Sequence, residues 1–201
     1  RIQTKNEVDK MRFIFRIMLF CIGFVLLQPP YLFAESKVKV GDKVPNFTLE
    51  GTDDKQHEIE KMKEIVVVLV FGTRKLDEQT DRWLLELHNA FKEANKEESP
   101  INIFEVAGDM PRFMPKAVVK KLAKRFMLDK KLPFPKIVLF DWWKKISKLL
   151  GADEDKVNIF VIDKEGILAH YQIVPYSKEN FSVLKSKIEE ALKEGINENT
   201  E

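Results

Sequence analysis

The sequence predicts an α/β fold in which helices flank a central mixed β-sheet, with an N-terminal β-hairpin as an extension. The strongest evidence is the nearly continuous β-branched run over residues 64–71, which is typical of a strand buried on both faces. Strand and helix patterns then alternate along residues 64–150, which favours a sheet covered by helices. Finally, a Gly-containing turn at residues 163–166 separates two strand patterns, which predicts an antiparallel closing pair.

Residues 1–34 predict a short N-terminal extension followed by a secretory signal peptide. The first ten residues are polar, so we expect translation to start at Met11. Two arginines then precede an uncharged apolar run over residues 17–27, which is shorter than the roughly 20 residues that cross a bilayer. A positive segment followed by a short apolar segment is the pattern of a signal peptide.

Cleavage is expected after Ala34, because a small residue suits the processing site. The mature protein would then be a single domain of residues 35–201 in the periplasm. The alternative is an uncleaved leader, in which residues 12–34 anchor the same domain to the inner membrane.

The first part of this domain reads as a hairpin, the buried strand and a helix. Two short extended pieces, residues 40–50 and 56–59, flank a turn rich in Gly and Asp. After the buried strand, residues 77–96 place Trp83 and further apolar residues at three- and four-residue spacing, with charges opposite. This spacing predicts an amphipathic helix.

A second strand at residues 101–107 is followed by a proline-containing loop and a basic helix. The loop, residues 108–115, ends in a proline that suits the first turn of a helix over residues 116–128. The lysines and arginine of this helix are expected on a solvated face, although a nucleic-acid or lipid patch is the alternative interpretation. The opposite stripe is expected in the core and consists of Val118, Val119, Leu122 and Phe126.

The rest of the chain predicts a third strand, a short helix, the antiparallel pair and a last helix. Gly151 is expected to end the short helix, while Ser177 and Gly195 are expected to cap and close the last one. Strands are expected at residues 136–140, 157–162 and 167–173, and the short helix is expected at residues 142–150.

Charge, cysteine and histidine content narrow the possible functions. Without residues 1–34 the chain keeps 29 Lys and Arg against 30 Asp and Glu, a net charge of −1. Such a balance gives no electrostatic reason to expect nucleic acid or an anionic membrane as a partner. The one cysteine, Cys21, lies in the leader and is interpreted as an apolar filler there. No metal and no cofactor are predicted, because the histidines lack metal-ligand spacing: His57, His88 and His170.

Four short motifs stand in a characteristic order along the domain. They are GDKVPNFTL at residues 41–49, VLVF at 68–71, LPFPKIVLFD at 132–141 and IFVIDKEG at 159–166. Together they resemble the thioredoxin-like superfamily over residues 38–194, and within it the exported redoxin group of TlpA and AhpC/TSA-like proteins. A narrower resemblance is to the small periplasmic family typified by the YtfJ protein, which is redoxin-like and has no strict dithiol. The resemblance implies a thioredoxin-like fold.

The sequence departs from these relatives where their reactive groups lie. The family's cis-proline falls on Val157, where we expect a trans bond, because a non-proline cis bond costs about 2.5–4 kcal/mol. Alignment on the phenylalanine that ends the buried strand puts the Cys-x-x-Cys motif on Leu76, Asp77, Glu78 and Gln79.

Thiol–disulfide exchange requires a thiolate, so no catalytic residue is predicted at these positions. Asp77 and Glu78 are expected to interact favourably with the N-terminus of their helix, which contributes about 0.3–1 kcal/mol. Acid–base catalysis by these two carboxylates is the alternative.

Three aromatic residues are candidates for binding a protein partner. Trp142 and Trp143 are adjacent, so one side chain can be buried while the other faces water, and an exposed Trp often contributes strongly to binding. Packing of both against the sheet is the alternative. Phe113, in the loop before the basic helix, has the same two interpretations.

The sequence therefore predicts an exported thioredoxin-fold protein without redox cysteines that binds a periplasmic protein. The binding surface is expected to be the one that holds the active site in its relatives. The alternative is a redoxin-family thiol–disulfide oxidoreductase or peroxidase-like protein whose activity is altered or depends on a cysteine-bearing partner. A membrane-anchored module is a third alternative if the leader is not cleaved.

Overall fold

The computed structural model describes residues 38–193, except 93–100, 111–112, 131–133 and 135. The predicted leader, with Met11, Cys21 and Ala34, lies outside the described residues, and so does Gly195. The same holds for the last residues predicted for the first helix and for both prolines of the LPFP motif.

Within the described ranges, seven strands form one mixed sheet in the order β2-β1-β5-β4-β3-β6-β7. Parallel pairing joins β3 to β4 and β4 to β5, while the remaining neighbours are antiparallel. This arrangement confirms the predicted mixed sheet, its N-terminal hairpin and its antiparallel closing pair. The strands are β1 (Thr48–Gly51), β2 (Gln56–Glu58), β3 (Val66–Gly72), β4 (Ile101–Ala107), β5 (Val138–Phe140), β6 (Asn158–Ile162) and β7 (Leu168–Gln172).

Among the described residues, four α-helices accompany the sheet: α1 (Asp77–Ala90), α2 (Lys116–Lys130), α3 (Lys145–Leu150) and α4 (Lys178–Lys193). Ser177 caps α4 as predicted, since its Oγ accepts a hydrogen bond from Asn180 N at 3.1 Å. Gly151 ends α3 in the left-handed conformation, with φ of 73°. Within the part of the chain that the structure describes, no helix combines the length and apolar character needed to cross a membrane.

The core lies on both faces of β3, as the β-branched run predicts. Alternate side chains of this strand point into two different clusters, because successive residues of a strand face opposite sides of the sheet. Trp83 and Leu87 of α1 and Leu184 of α4 cover one face and are fully buried. The other face is packed by α3 and by residues around the N-terminal hairpin, such as Phe47. These packed faces hold the end of β3 and the start of α1 in place.

Helix α2 is oriented differently from the prediction. Of the expected core stripe only Val119 is buried, and the other three side chains are 43–54% exposed: Val118, Leu122 and Phe126. Only part of the basic side faces the protein: Lys120 and Lys124 form ion pairs with Glu50 and Asp54 at the N-terminal hairpin, whereas Lys121 and Arg125 are exposed. The predicted core stripe is therefore wrong for three of its four residues.

Candidate functional site

The candidate site lies where β3 ends and α1 begins. Between Gly72 and Asp77 the chain forms a short 3-10 turn, and Leu76 is the N-cap residue of α1. The backbone N–H of Leu76 donates to Thr73 O at 2.8 Å, and its side chain packs against the core cluster beneath α1. The position that the motif alignment predicts for the first cysteine of Cys-x-x-Cys is thus occupied by a packed hydrocarbon side chain.

Gly72 allows α1 to begin directly over the end of β3. A Cβ atom at this position would lie 2.3 Å from Thr80 Oγ1 and 2.9 Å from Thr80 Cγ2, closer than carbon atoms can approach. Thr80 itself is buried, and its hydroxyl donates to the carbonyl oxygen of Leu76 at 2.9 Å. The contact fixes the first turn of α1 against the sheet.

Replacing Gly72 with Ala should therefore lower the free energy of unfolding by about 1–3 kcal/mol, the usual cost of overpacking. Urea unfolding measures this change. The matched control is Gly108→Ala. Its added Cβ atom would lie 3.1 Å from Ser147 Oγ and 3.9 Å from the next atom, Lys144 Cγ. Thr80→Ala in the Gly72→Ala background should restore much of the loss. A double variant no more stable than Gly72→Ala would contradict this account.

Asp77, the second motif position, is part of a chain of charges that joins four segments. Lys130 Nζ, at the end of α2, lies 2.5 Å from Asp77 Oδ2 and also contacts Asp81 of α1. Lys136 Nζ, which precedes β5, lies 2.9 Å from Asp81 Oδ1 and contacts Glu105 of β4. These contacts favour a structural role for Asp77. Glu78 and Gln79, the remaining motif positions, are exposed.

The deep end of this chain is the pair of Lys136 and Glu105. Burial raises the pKa of Glu105, and the nearby ammonium of Lys136 opposes this shift only in part. Burial also acts to lower the pKa of Lys136, but its ion pairs with Glu105 and Asp81 outweigh burial and raise it. The raised pKa of Glu105 favours a neutral carboxyl group, whereas the raised pKa of Lys136 favours a charged ammonium group. Lys136 has two carboxylate partners, so it stays charged, and Glu105 is the member easiest to protonate.

Val157, which is predicted to stand where the family has its cis-proline, is buried and directly precedes β6. No cis peptide bond occurs among the residues that the structure describes, so the bond at Val157 is trans as predicted. The register of β3 and β6 pairs Phe71 with Asn158. Val157 therefore lies beside the end of β3, and its side chain belongs to the same core cluster that Leu76 packs against.

Asn158 is a site residue that the sequence analysis missed. Its amide nitrogen donates to the carbonyl oxygens of Asp153 and Lys156, both at 2.7 Å. Its Oδ1 accepts from Asp153 N at 2.8 Å and from the Tyr171 hydroxyl at 3.0 Å. One buried amide thus fixes the loop before β6, although no motif in the sequence marks it.

A shallow depression opens between these elements. Its lining includes the turn after β3 and the loop before β6, and Lys144 borders it and contacts Glu154. The depression is open to solvent and offers a surface for contact, without an enclosed chamber for a substrate. Its lining residues include Gly72, Thr73, Gly108, Lys144 and Asn158.

The two adjacent tryptophans have different environments. Trp142 stacks on Phe140 with ring centroids 5.2 Å apart, and Lys116 Nζ lies 5.1 Å from the centroid of its ring. Trp143 is 65% exposed and precedes Lys144 at the border of the depression. The alternative in which both side chains pack against the sheet is therefore wrong for Trp143.

An unusual backbone turn presents Trp143 to solvent. Trp143 and Lys144 have φ values of 70° and 54°, a conformation that costs bulky residues about 1–3 kcal/mol. Asp141 compensates for this cost. Its buried carboxylate accepts hydrogen bonds from Ile146 N at 2.9 Å, Ser147 N at 2.7 Å and Ser147 Oγ at 2.6 Å.

The third aromatic candidate, Phe113, is fully exposed, so it does not pack against the sheet. Among the described aromatic residues no ring contact joins it to Trp142 or Trp143. Trp143 is therefore adjacent in the chain to Lys144, which lines the depression, whereas Phe113 is not among the lining residues.

The histidines lie apart and in structural contacts. His57 Nε2 lies 3.0 Å from Asp53 Oδ1, and His88 stacks on Phe134, where burial lowers the pKa of His88 to about 4. Within the described ranges no three His, Cys, Asp or Glu side chains are grouped so as to hold a metal ion. The absence of a metal and of a cofactor stays a prediction.

Comparison with known proteins gives a family and a fold. A model of the AhpC/TSA family matches residues 40–171, whereas no curated protein sequence matches the chain. A candidate thiol:disulfide interchange protein DsbE from Chlorobium tepidum is 21% identical, with a TM-score of 0.59 over 77% of this chain and 99% of its own.

Two further solved structures show the same likeness. The exposed lipoprotein thioredoxin Etrx1 of Streptococcus pneumoniae is 23% identical, with a TM-score of 0.51 over 72% of this chain and 99% of its own. A peroxiredoxin-like protein from Aquifex aeolicus is 19% identical, with a TM-score of 0.53 over 77% of this chain and 88% of its own. The architecture is therefore the thioredoxin-like fold that the four motifs predict.

Proposed function

Because the chain belongs to the AhpC/TSA family, we propose that it is an exported thioredoxin-fold protein that keeps the family's scaffold without its thiol chemistry and binds another protein. The observation that carries this proposal is Leu76 at the N-cap of α1, packed against the core where a redox thiol would stand. The binding surface is the site face, defined here as the depression lined by Gly72, Thr73, Gly108, Lys144 and Asn158 together with Trp143.

The chemistry of the start of α1 supports the loss of redox function. A helix N-terminus activates a cysteine by stabilising its thiolate, and residues 35–201 contain no cysteine. Asp77 carries negative charge at this N-terminus, but its carboxylate is paired with Lys130. The ion pair gives Asp77 a structural contact in place of a free carboxylate, which weakens the acid–base alternative.

Trp143 supports binding as the remaining function of the site face. Its side chain is exposed on a backbone conformation that costs free energy, and such strain tends to be kept where function requires it. Tryptophan is among the residues that most often dominate protein interfaces. The proposed partner is therefore a protein that receives the Trp143 indole.

The leader pattern supports a periplasmic location for this activity, with membrane anchoring through residues 12–34 as the alternative. One structural neighbour is an exposed lipoprotein, which agrees with export. Within the family, we place the chain beside the dithiol-free periplasmic proteins typified by YtfJ.

The redox part of the proposal predicts that the protein does not accelerate insulin reduction by dithiothreitol. It should likewise leave the rate of hydrogen peroxide consumption equal to that of buffer. Both assays use protein expressed from the full chain, with a dithiol thioredoxin as positive control for insulin reduction and a peroxiredoxin with dithiothreitol as positive control for peroxide consumption. Turnover that scales with the amount of this protein would refute the proposal. Turnover that appears only in a co-purified complex would favour the alternative of a partner-dependent oxidoreductase.

The binding part predicts that Trp143→Ala removes a partner captured from a periplasmic extract. Loss of a central Trp commonly costs about 2 kcal/mol or more, which weakens binding about thirtyfold. Val183→Ala is the matched control, because Val183 is an exposed apolar side chain on α4, 54% accessible. Equal capture by the two variants would exclude Trp143 as the anchor.

A further inference from the structure

Helix α2 holds an apolar row away from the protein. The α2 row, defined as Val118, Leu122 and Phe126, is 43%, 50% and 54% exposed. Apolar residues at four-residue spacing normally face a core, and an exposed row of this kind is typical of an interaction site.

Ion pairs on the other side of α2 fix this orientation. Lys120 Nζ lies 2.8 Å from Glu50 Oε1 and 2.8 Å from Asp54 Oδ1, and Lys124 Nζ lies 2.5 Å from Asp54 Oδ2. Hydrogen bonds from these two lysines lower the pKa of Asp54 to about 2, so the pairs stay charged at neutral pH. Lys130 adds contacts to α1 at the far end of the helix. Turning the α2 row inward would break these contacts.

The shape of the α2 row is suited to packing against a single helix of another molecule. Residues at i, i+4 and i+8 form a single ridge about 12 Å long, and such ridges fit into the grooves of a second helix. Lys121 and Arg125 lie beside the ridge and are exposed. Among the described residues neither has a carboxylate within 4.0 Å, whereas the other lysines named above are paired.

We propose that the α2 row binds an amphipathic helix of a partner protein, whose apolar ridge is flanked by Asp or Glu side chains. The apolar ridge would be buried between the two helices, and the partner's carboxylates would pair with Lys121 and Arg125. This inference concerns α2 and does not depend on the proposal for the site face.

Two other occupants fit the charges less well. A second copy of the chain would bring another Lys121 and Arg125 to the same interface, and like charges at an interface are unfavourable. An anionic membrane is recognised by clusters of about four to eight Lys and Arg, whereas among the described side chains two cations without an ion pair, Lys121 and Arg125, border the α2 row. An acidic helix satisfies both the ridge and the two cations.

The test uses a synthetic acidic amphipathic peptide of about 20 residues, long enough to be helical, with Leu at four-residue spacing and Glu beside it. Fluorescence anisotropy should show saturable binding to the full-length protein. Leu122→Glu and Phe126→Glu should each weaken this binding about tenfold or more, and Lys121→Glu with Arg125→Glu should weaken it and reduce its dependence on salt. A peptide with Lys in place of Glu should bind more weakly than the acidic peptide.

Val183→Glu, an exposed apolar position on α4, is the matched control and should bind like the wild type. Circular dichroism establishes that each variant is folded. Failure of the acidic peptide to bind, or equal binding of the Lys peptide, would overturn the proposal. Binding to phosphatidylglycerol vesicles without binding to the peptide would assign the row to lipid. A dimer abolished by Leu122→Glu would assign it to a second copy.

Discussion

Lys136→Met should destabilise the protein by about 3–5 kcal/mol, because it leaves a buried carboxylate without its partner. Lys136 is 6% exposed and contacts both Glu105 and Asp81. Methionine fills most of the space of the lysine stem, so the expected loss is electrostatic. The free energy of unfolding, measured by urea titration, gives this change directly.

The loss of stability in Lys136→Met should increase as pH rises. Lys136 opposes the burial that raises the pKa of Glu105, so its removal raises that pKa further. A carboxyl group whose pKa is higher in the folded state binds more protons there, and stability then falls as pH rises through the two pKa values. Lys136→Met should therefore be closer to wild type at about pH 5 than at about pH 8.

Two further variants separate this account from a general packing defect. Glu105→Gln in the Lys136→Met background should recover much of the stability and remove the added pH dependence, since no buried charge is left unpaired. Lys61→Met is the surface control, because Lys61 is 80% exposed and pairs with Glu58 in solvent. It should change stability by about 0.5 kcal/mol or less. A pH-independent loss in Lys136→Met would contradict the charge argument.

Asp141→Ala should cost about 3 kcal/mol and should also weaken capture of a partner through Trp143. Asp141 is 1% exposed, and its carboxylate accepts three hydrogen bonds at the start of α3. Without it, two buried backbone N–H groups lose their acceptor, at a cost of about 1–3 kcal/mol each. The left-handed turn at Trp143 and Lys144 loses the contacts that compensate for its strain.

Ser147→Ala is the matched control for this prediction. It removes one of the three hydrogen bonds and leaves the backbone contacts of Asp141 intact, so a loss of about 1 kcal/mol is expected. Capture through Trp143 should be nearly unchanged in this variant. If Asp141→Ala and Ser147→Ala behaved alike in both urea unfolding and capture, Asp141 would not be what presents Trp143.

The parts of the fold predicted most accurately are those that local pattern specifies. The β-branched run that became β3 packs on both faces as expected, and residues 101–107 coincide with β4. Ser177 caps α4 and Gly151 ends α3, because cap preferences act over three or four residues.

For the candidate site, the sequence identifies residue types but not the contacts around them. The absence of a thiol at Leu76 and of a proline at Val157 is visible in the sequence. The pairing of Asp77 with Lys130 joins residues 53 positions apart, and no local pattern reports such a contact. Asn158 was missed for a related reason, since a single asparagine in a strand pattern does not reveal which carbonyl groups surround it.

By itself, the sequence determined which segments form strands and helices, and it determined that residues 35–201 contain no cysteine. Only the tertiary structure decided which side of α2 faces solvent and which tryptophan is exposed. Periodicity divides a helix into apolar and charged sides, but the neighbours decide which side is buried. For α2 those neighbours include Glu50 and Asp54, and the contact of Lys120 with Glu50 spans 70 residues of sequence.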